Sequence, residues 1–277
     1  MVLTLAVSLI GATVPEAIAQ GAPVPSFWDP QYRAERPDTS AIRLIRFITE
    51  DDYPPFNFAL PDGSLTGFNV EIARAICDEL KIACTIQPRR WDTLIPSIAD
   101  GRADAAIASL AMNAQTRAQL DFTAPYYKTP ARFVTLRPAD GQPTRDMLPE
   151  TLRGQTVGVE TGTAHEAFLR AFFPGVEIKT FANQTELRGA LKSRDVQALF
   201  GDGVSLSLWL NGTDAGACCA FAGGPYTESS FFGEGVGIAV RKGNDDLRRA
   251  LDWALKRVHE RGLYAELYLK FFPIGFF

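Results

Sequence analysis

The 277-residue chain is short of several things, and each shortage closes off a class of function. No run of Lys or Arg forms a basic stripe, and 28 basic against 32 acidic side chains leave a net charge of −4, so neither nucleic acid nor an anionic membrane surface is an expected partner. The two histidines, His165 and His259, stand far apart, and no CxxC or HxxxH spacing occurs, which argues against a metal site. Each histidine reads as a helix-surface residue. No nucleophile–His pair is readable, and no cofactor is expected. Beyond the N-terminal segment, no apolar run is long enough to span a bilayer.

What is present is an ordinary globular composition, 46% hydrophobic and 22% charged, at a length that favours two lobes over one. The first segment, "MVLTLAVSLIGATVPEAIAQ", carries an apolar run from Val2 to Val14 and then Ala17-Ile18-Ala19, a small-x-small cleavage pattern. It reads as a signal peptide over residues 1–19, and residues 20–40 as a Pro-rich polar extension, so the mature protein is expected to be exported and soluble. Four cysteines suit an oxidising compartment. Cys77 and Cys84 flank "DELKIA", which joins a helix end to a strand start, where a bridge is geometrically feasible. Cys218 and Cys219 are adjacent, and neighbours rarely bond each other; their state is left open.

From Ala41 strand and helix patterns alternate. "IRLIRFITE" is a β-branched apolar run, "FNVEIARAICDEL" places Ile72, Ala73, Ile76, Cys77 and Leu80 on one helical face, "CTIQP" is a short strand, and "WDTLIPSIADG" is a helix closed by Gly101 before the strand "ADAAIAS". After "DFTAPYYKTPARFVTLR" the alternation restarts through "QTVGVE", "AHEAFLRAFF", "VEIKTF", "TELRGALKS" and "VQALFGD". "GEGVGIAVRKG" adds a strand before a long helix with Asn244 as N-cap and Gly262 just past its end. Alternation of this kind predicts α/β lobes, each with a parallel sheet covered on both faces.

In open α/β sheets, solutes bind outside the carboxyl ends of the strands. Those ends here are Glu50 to Tyr53, Ser109 to Asn113, Glu160 to Thr163, and Asp202, all polar. Singly, each also reads as a helix cap; together they point to a cleft for a small polar solute. The stretch "DYPPFNF" adds Tyr53, Phe56 and Phe58 beside one of them, rings that either fill a corner of the core or face a ligand.

These motifs, with "DGSLTGFNVEIARAI", "DFTAPYY", "GQTVGVETGTAHE" and "GGPYTESSFFGEGVGIAVRKGNDDLRRALDWALKRVHERGLYAELYLKFF", resemble the polar amino-acid family of periplasmic solute-binding proteins, subunits of ABC importers, from Ala41 to Phe272. The resemblance implies a two-lobed clamshell of type II, each lobe a sheet covered by helices, joined by hinge strands near Lys128 to Ala131 and Gly233 to Val236. Lobe one would comprise 41–129 plus 234–277 and lobe two 130–233. It implies a monomer that binds a small-molecule amino acid and docks on permease membrane subunits. Tyr53 and Trp91 match the walls that hold the ligand's side chain, and Glu50 a carboxylate facing it. Ser109 and the segment from Asn113 to Arg117 match the place of the α-carboxylate, Asp202 the acceptor of the α-ammonium, and Thr163 lies in the second lobe's share. Relatives with the spacing of Cys77 and Cys84 have a disulfide there.

The pattern departs from the family at two places, the second being Glu160 and Ala164 where small or hydroxylated residues are usual. "NAQTRAQLDF" has Asn113 where a Thr is usual and Arg117 one step too near Asp121, so either the helix begins differently or Thr116 occupies the arginine position. The acidic strand ends favour a cationic or neutral polar amino acid over an acidic one, with Arg89 and Arg90 as potential neutralisers of Glu50. A second reading from the same resemblance is a cyclohexadienyl dehydratase, with Glu160 as general acid.

Overall fold

The computed structural model describes residues 24–27, 35–138 and 146–277. The signal peptide and most of the extension that follows it lie outside these residues. Two five-stranded sheets organise the chain. In the first the order is Ala83–Pro88, Leu44–Thr49, Ala105–Ala106, Ala239–Arg241, Leu120–Phe122; in the second it is Glu177–Phe181, Thr156–Glu160, Ala198–Asp202, Ala131–Leu136, Cys219–Tyr226. The architecture is α/β with two lobes and open sheets.

Neither sheet is wholly parallel. Ala239–Arg241 runs antiparallel to both its neighbours, and Ala131–Leu136 runs antiparallel to Ala198–Asp202 and to Cys219–Tyr226. The reason is topological: these strands carry the chain from one sheet to the other and back, without a helical crossover to reverse direction within one sheet. The outward passage follows Leu120–Phe122; the return follows Cys219–Tyr226 by way of the short helix Ser229–Phe232. Where they pass, Val236 N–H donates to Tyr127 O (2.9 Å) and Tyr126 N–H to Val236 O (2.9 Å). Gly235 sits between the passages at φ 114°, and a Cβ there would come 2.9 Å from Tyr127 O, so only glycine lets them lie this close.

Helix Phe68–Leu80 buries Phe68, Ile72, Ala73, Ile76 and Leu80 against helices Asp245–Glu260 and Leu263–Phe271, which fill the first lobe's core through Leu251, Leu255, Tyr264 and Tyr268. The long C-terminal helix begins at Asn244, whose side chain accepts from Leu247 N–H, and Gly262 follows it at φ 79°. After the last helix the tail crosses to the second lobe: Ser207 Oγ donates to Ile274 O, and Arg132 Nη1 to Phe276 O (3.4 Å).

Cys77 and Cys84 are bonded, tying the end of helix Phe68–Leu80 to strand Ala83–Pro88. Cys218 and Cys219 are also bonded to each other, so no described cysteine is free. Removing the first bridge as the Cys77→Ser/Cys84→Ser pair releases a short loop in the unfolded chain. The expected loss is about 2–3 kcal/mol, a fall in melting temperature of roughly 5–10 °C. Differential scanning calorimetry of the oxidised wild type against the double variant measures it; equal melting temperatures would mean that the bridge does not constrain the unfolded state.

Candidate functional site

The hairpin Asp52–Tyr53, Asn57–Ala59, Leu65–Thr66 makes a small third sheet over the first lobe, where the aromatic stretch appears on sequence grounds as a plain loop. Its rings divide the two roles open to them. Phe56 is buried in the core, whereas Tyr53 remains 47% exposed and stacks on Phe56 at 5.3 Å; Phe56 stacks in turn on buried Tyr127 at 5.0 Å. The column anchors Tyr53 from behind and leaves its other face to water. Trp91, first residue of helix Trp91–Ala99, is 52% exposed. Glu50, Asp51, Asp52, Arg89 and Trp91 line one groove of about 590 Å³.

Below it, Ser109 adopts φ 60°, an uncommon backbone for a non-glycine residue. A buried network holds it. Asn69 Nδ2 donates to Ser109 Oγ (3.0 Å) and to Asn57 Oδ1 (2.7 Å), and Tyr126 donates its hydroxyl to Asn69 Oδ1 (2.7 Å). The Tyr127 hydroxyl also bonds Ser109.

Across the cleft, adjacent parallel strands end at Glu160 and Asp202. Asp202 caps helix Gly203–Asn211, its Oδ1 accepting from Ser205 N–H at 2.8 Å. Glu160 Oε2 accepts from Gln184 Nε2 at 2.6 Å. Thr163 caps helix Ala164–Phe172 through Glu166 N–H, while its hydroxyl donates to Glu160 O. Among the described residues, Glu50, Glu160 and Asp202 form no ion pair.

Burial first, and neighbouring carboxylates second, shift the acidic groups of this region upward. Burial pushes the Asp202 carboxyl above the usual carboxylate range, against the pull of the Ser205 and Val204 N–H groups. Glu50 is raised by partial burial and by Asp52 and Asp51. The Tyr53 phenol is raised by burial, then by Asp202 and Glu50, which places both carboxylates around that ring. His165 is half-buried on its helix: its ring stacks on Phe232 at 5.3 Å, and burial pulls its pKa down to about 4.

Helix Ala114–Gln119 resolves the ambiguity of its first turn. Asn113 is the N-cap, its Oδ1 accepting from Thr116 N–H at 3.0 Å, and the Thr116 hydroxyl donates to Ala111 O at 2.8 Å. Arg117, one position on, puts Nη2 on Glu234 Oε2 at 2.5 Å. Tyr53 lies within electrostatic reach of Glu50 and Asp202, Trp91 shares a groove with Glu50, Ser109 and Thr163 stand just past their own strands, and Asn113 and Arg117 are bonded to neighbours of their own. Sequence reasoning missed Asn69, Tyr127, Gln184 and Arg188, which position the site from behind; no spacing or motif marks them, because each acts on a residue brought near only by the fold.

A pair of α/β lobes with polar strand ends facing each other defines a solute-binding protein. Residues 45–274 match the model of the bacterial extracellular solute-binding proteins, family 3, and the chain belongs to that family. It is 35% identical over 239 residues to the L-arginine-binding protein of Pseudomonas aeruginosa, covering 85% of this chain and 90% of that one. It is 31% identical over 230 residues to the histidine-binding periplasmic protein of Escherichia coli, covering 82% and 87%. Among solved structures, an ancestral cationic amino acid solute-binding protein superposes with a TM-score of 0.60 at 26% identity, over 84% of this chain and 97% of that one. These relatives are binding proteins, and the chain is a binding protein and not an enzyme. Among the described residues, no helix is long and apolar enough to cross a membrane.

Proposed function

We propose that the protein is the periplasmic receptor of an ABC importer, a monomer that captures an amino acid with a cationic or neutral polar side chain and presents it to the permease subunits. The lobes divide at 41–129 plus 234–277 and 130–233, and close on the solute about the two passages. One observation carries this reading: among the described residues, Asp202 is a half-buried carboxylate in no ion pair, placed at a strand end within electrostatic reach of an exposed, rigidly backed tyrosine. A desolvated carboxylate in that position is stabilised by an ammonium that the solute brings.

In this reading Asp202 takes the α-ammonium, and Tyr53 and Trp91 offer ring faces to the side chain with Glu50 at its end. Ser109 and Thr163 border the polar end of the solute. The names of the relatives support the class, since they include arginine-binding and histidine-binding proteins. Titration calorimetry with arginine, lysine, histidine, glutamine and glutamate tests it. Binding of at least one cationic or neutral member is expected; tight binding of glutamate with none of the others would overturn the reading.

A further inference from the structure

We propose that residues 273–277 form a strap, a third link between the lobes beside the two passages, which holds the cleft open and lets go of the second lobe when the cleft closes on a solute. This inference rests on the proposed reading of the cleft as a solute site that closes about the passages, and goes further by naming what opposes closure.

The strap is anchored in the first lobe by Phe276. Its ring is fully buried in that lobe's core, 4.9 Å from the Phe272 ring and 5.2 Å from that of Tyr268, and its N–H donates to the Tyr268 hydroxyl (3.0 Å). Phe27 clasps the strap from the other side, its ring meeting that of Phe277 edge-on at 5.4 Å. The second lobe supplies two donors: the Ser207 hydroxyl bonds Ile274 O, and Arg132 Nη1 bonds Phe276 O (3.4 Å). A single residue, Phe276, thus has its ring and N–H in one lobe and its carbonyl on the other, with no slack between them.

Arg132 sets this contact apart from ordinary packing. It is only 8% exposed, yet among the described residues it makes no ion pair and its Nε meets no acceptor; the Phe221 ring lies 4.4 Å from the guanidinium, and the ionisable groups acting on it are the Tyr268 and Tyr226 phenols. A buried cation without a counter-ion is costly to keep, and a charge-assisted bond to the strap carbonyl is what this one makes.

The strap also lands beside the cleft. Gly203 directly follows Asp202 and donates its N–H to Pro130 O (2.8 Å), and a Cβ on it would come 3.1 Å from Phe276 O. Strap, outward passage and the helix that Asp202 caps therefore meet at one point. Ser207 lies one turn further along that helix, so the two bonds resist rotation of the second lobe as well as its separation. Arg132 pairs with Gly201 across the strands, next to Asp202, and moves with it. Tyr53 and Trp91 are half-exposed in this arrangement, so the strap is fastened while the cleft is open. A rotation that carries Asp202 towards Tyr53 takes Arg132 and Ser207 along, while Phe276 stays in the first lobe. A fastened strap thereby lowers the population of the closed form and raises the apparent Kd.

The test uses the full mature chain carrying Ser207→Ala together with Arg132→Met, which removes both donors and leaves Phe276 in place. Met keeps an apolar stem of similar length and deletes an unpaired buried charge, so the lobe is expected to fold; Ser207→Ala alone, a loss of one hydroxyl, is measured beside it. Small-angle X-ray scattering of the ligand-free double variant is expected to give a smaller radius of gyration than the wild type. Calorimetric titration with arginine is expected to give a Kd lower by about threefold to tenfold, the fraction of closed form that the strap withholds. Scattering and arginine affinity equal to wild type in both variants would overturn the strap and leave the proposed function standing. A more extended double variant, or one that binds arginine more weakly, would also overturn it, because the strap would then be drawing the lobes together. Silence of the wild type towards arginine, lysine, histidine and glutamine would overturn the proposed function, and scattering alone would then decide the strap.

Discussion

Asp202→Asn is expected to abolish measurable binding of a cationic solute while leaving the fold intact. Asn is as good an N-cap as Asp, so the bond from Ser205 N–H and the start of helix Gly203–Asn211 survive. What disappears is the negative charge opposite the solute's ammonium in a desolvated cleft. Removing one member of such a pair costs about 2–5 kcal/mol, roughly thirtyfold to several thousandfold in Kd.

The free protein should respond in the opposite sense. Asp202 has its folded pKa raised above its ordinary value by burial, so as pH rises the unfolded chain ionises first. The stability it contributes is present below the unfolded value and is lost as pH rises through the folded one. At neutral pH the wild type therefore carries a buried charge that the Asn variant does not, and the ligand-free variant should melt slightly higher. By the same linkage, wild-type affinity for a cation should fall as pH drops through the folded pKa of Asp202. A variant that melts lower and still binds would show Asp202 to be a cap and nothing more.

The second large effect is expected at Asn69, buried directly behind Ser109. Asn69→Leu keeps the volume but strands two buried polar groups, the Tyr126 hydroxyl and Asn57 Oδ1, and leaves Ser109 Oγ with the Tyr127 hydroxyl. Each unsatisfied group costs about 1–3 kcal/mol, so a total near 3–5 kcal/mol is expected, a severe loss for a single substitution. Tyr126→Phe removes one donor and should cost only about 1 kcal/mol. Denaturant midpoints for the two variants measure the difference. Since Ser109 is held in its left-handed backbone by this network and by Tyr127, Asn69→Leu should also weaken solute binding. A midpoint shift no larger than that of Tyr126→Phe would mean that the network relaxes without penalty.

The contrast between these two residues shows what was legible in the sequence. Asp202 ends a strand whose apolar pattern, "VQALFGD", predicts both the strand and its polar terminus, and Glu50 ends "IRLIRFITE" in the same way. Tyr53 and Trp91 announce themselves as rings in polar company. Asn69 looks like any first-turn residue, and its partners Asn57, Ser109 and Tyr126 stand 12 to 57 positions away. Strand direction was also illegible, because periodicity reports which face is buried and not which way a strand runs. Where the helix carrying Thr116 and Arg117 begins is fixed by the Asn113 cap, a contact that a one-letter code does not show. His165 read as a surface histidine because its neighbours Thr163, Ala164 and Glu166 are unremarkable, while the ring that buries it, Phe232, arrives from the return passage.

The place of Ala239–Arg241 in the first sheet has a consequence for how the protein is made. This strand lies between Ala105–Ala106 and Leu120–Phe122, and the helices behind it come later still. Synthesis runs from the N-terminus, so the first sheet stays split, and its core unfilled, until nearly the whole chain has emerged. The second sheet is continuous from Ala131 to Tyr226 and can close earlier. Withholding an interior strand of the first sheet until the end delays the collapse of that sheet while the second can already close.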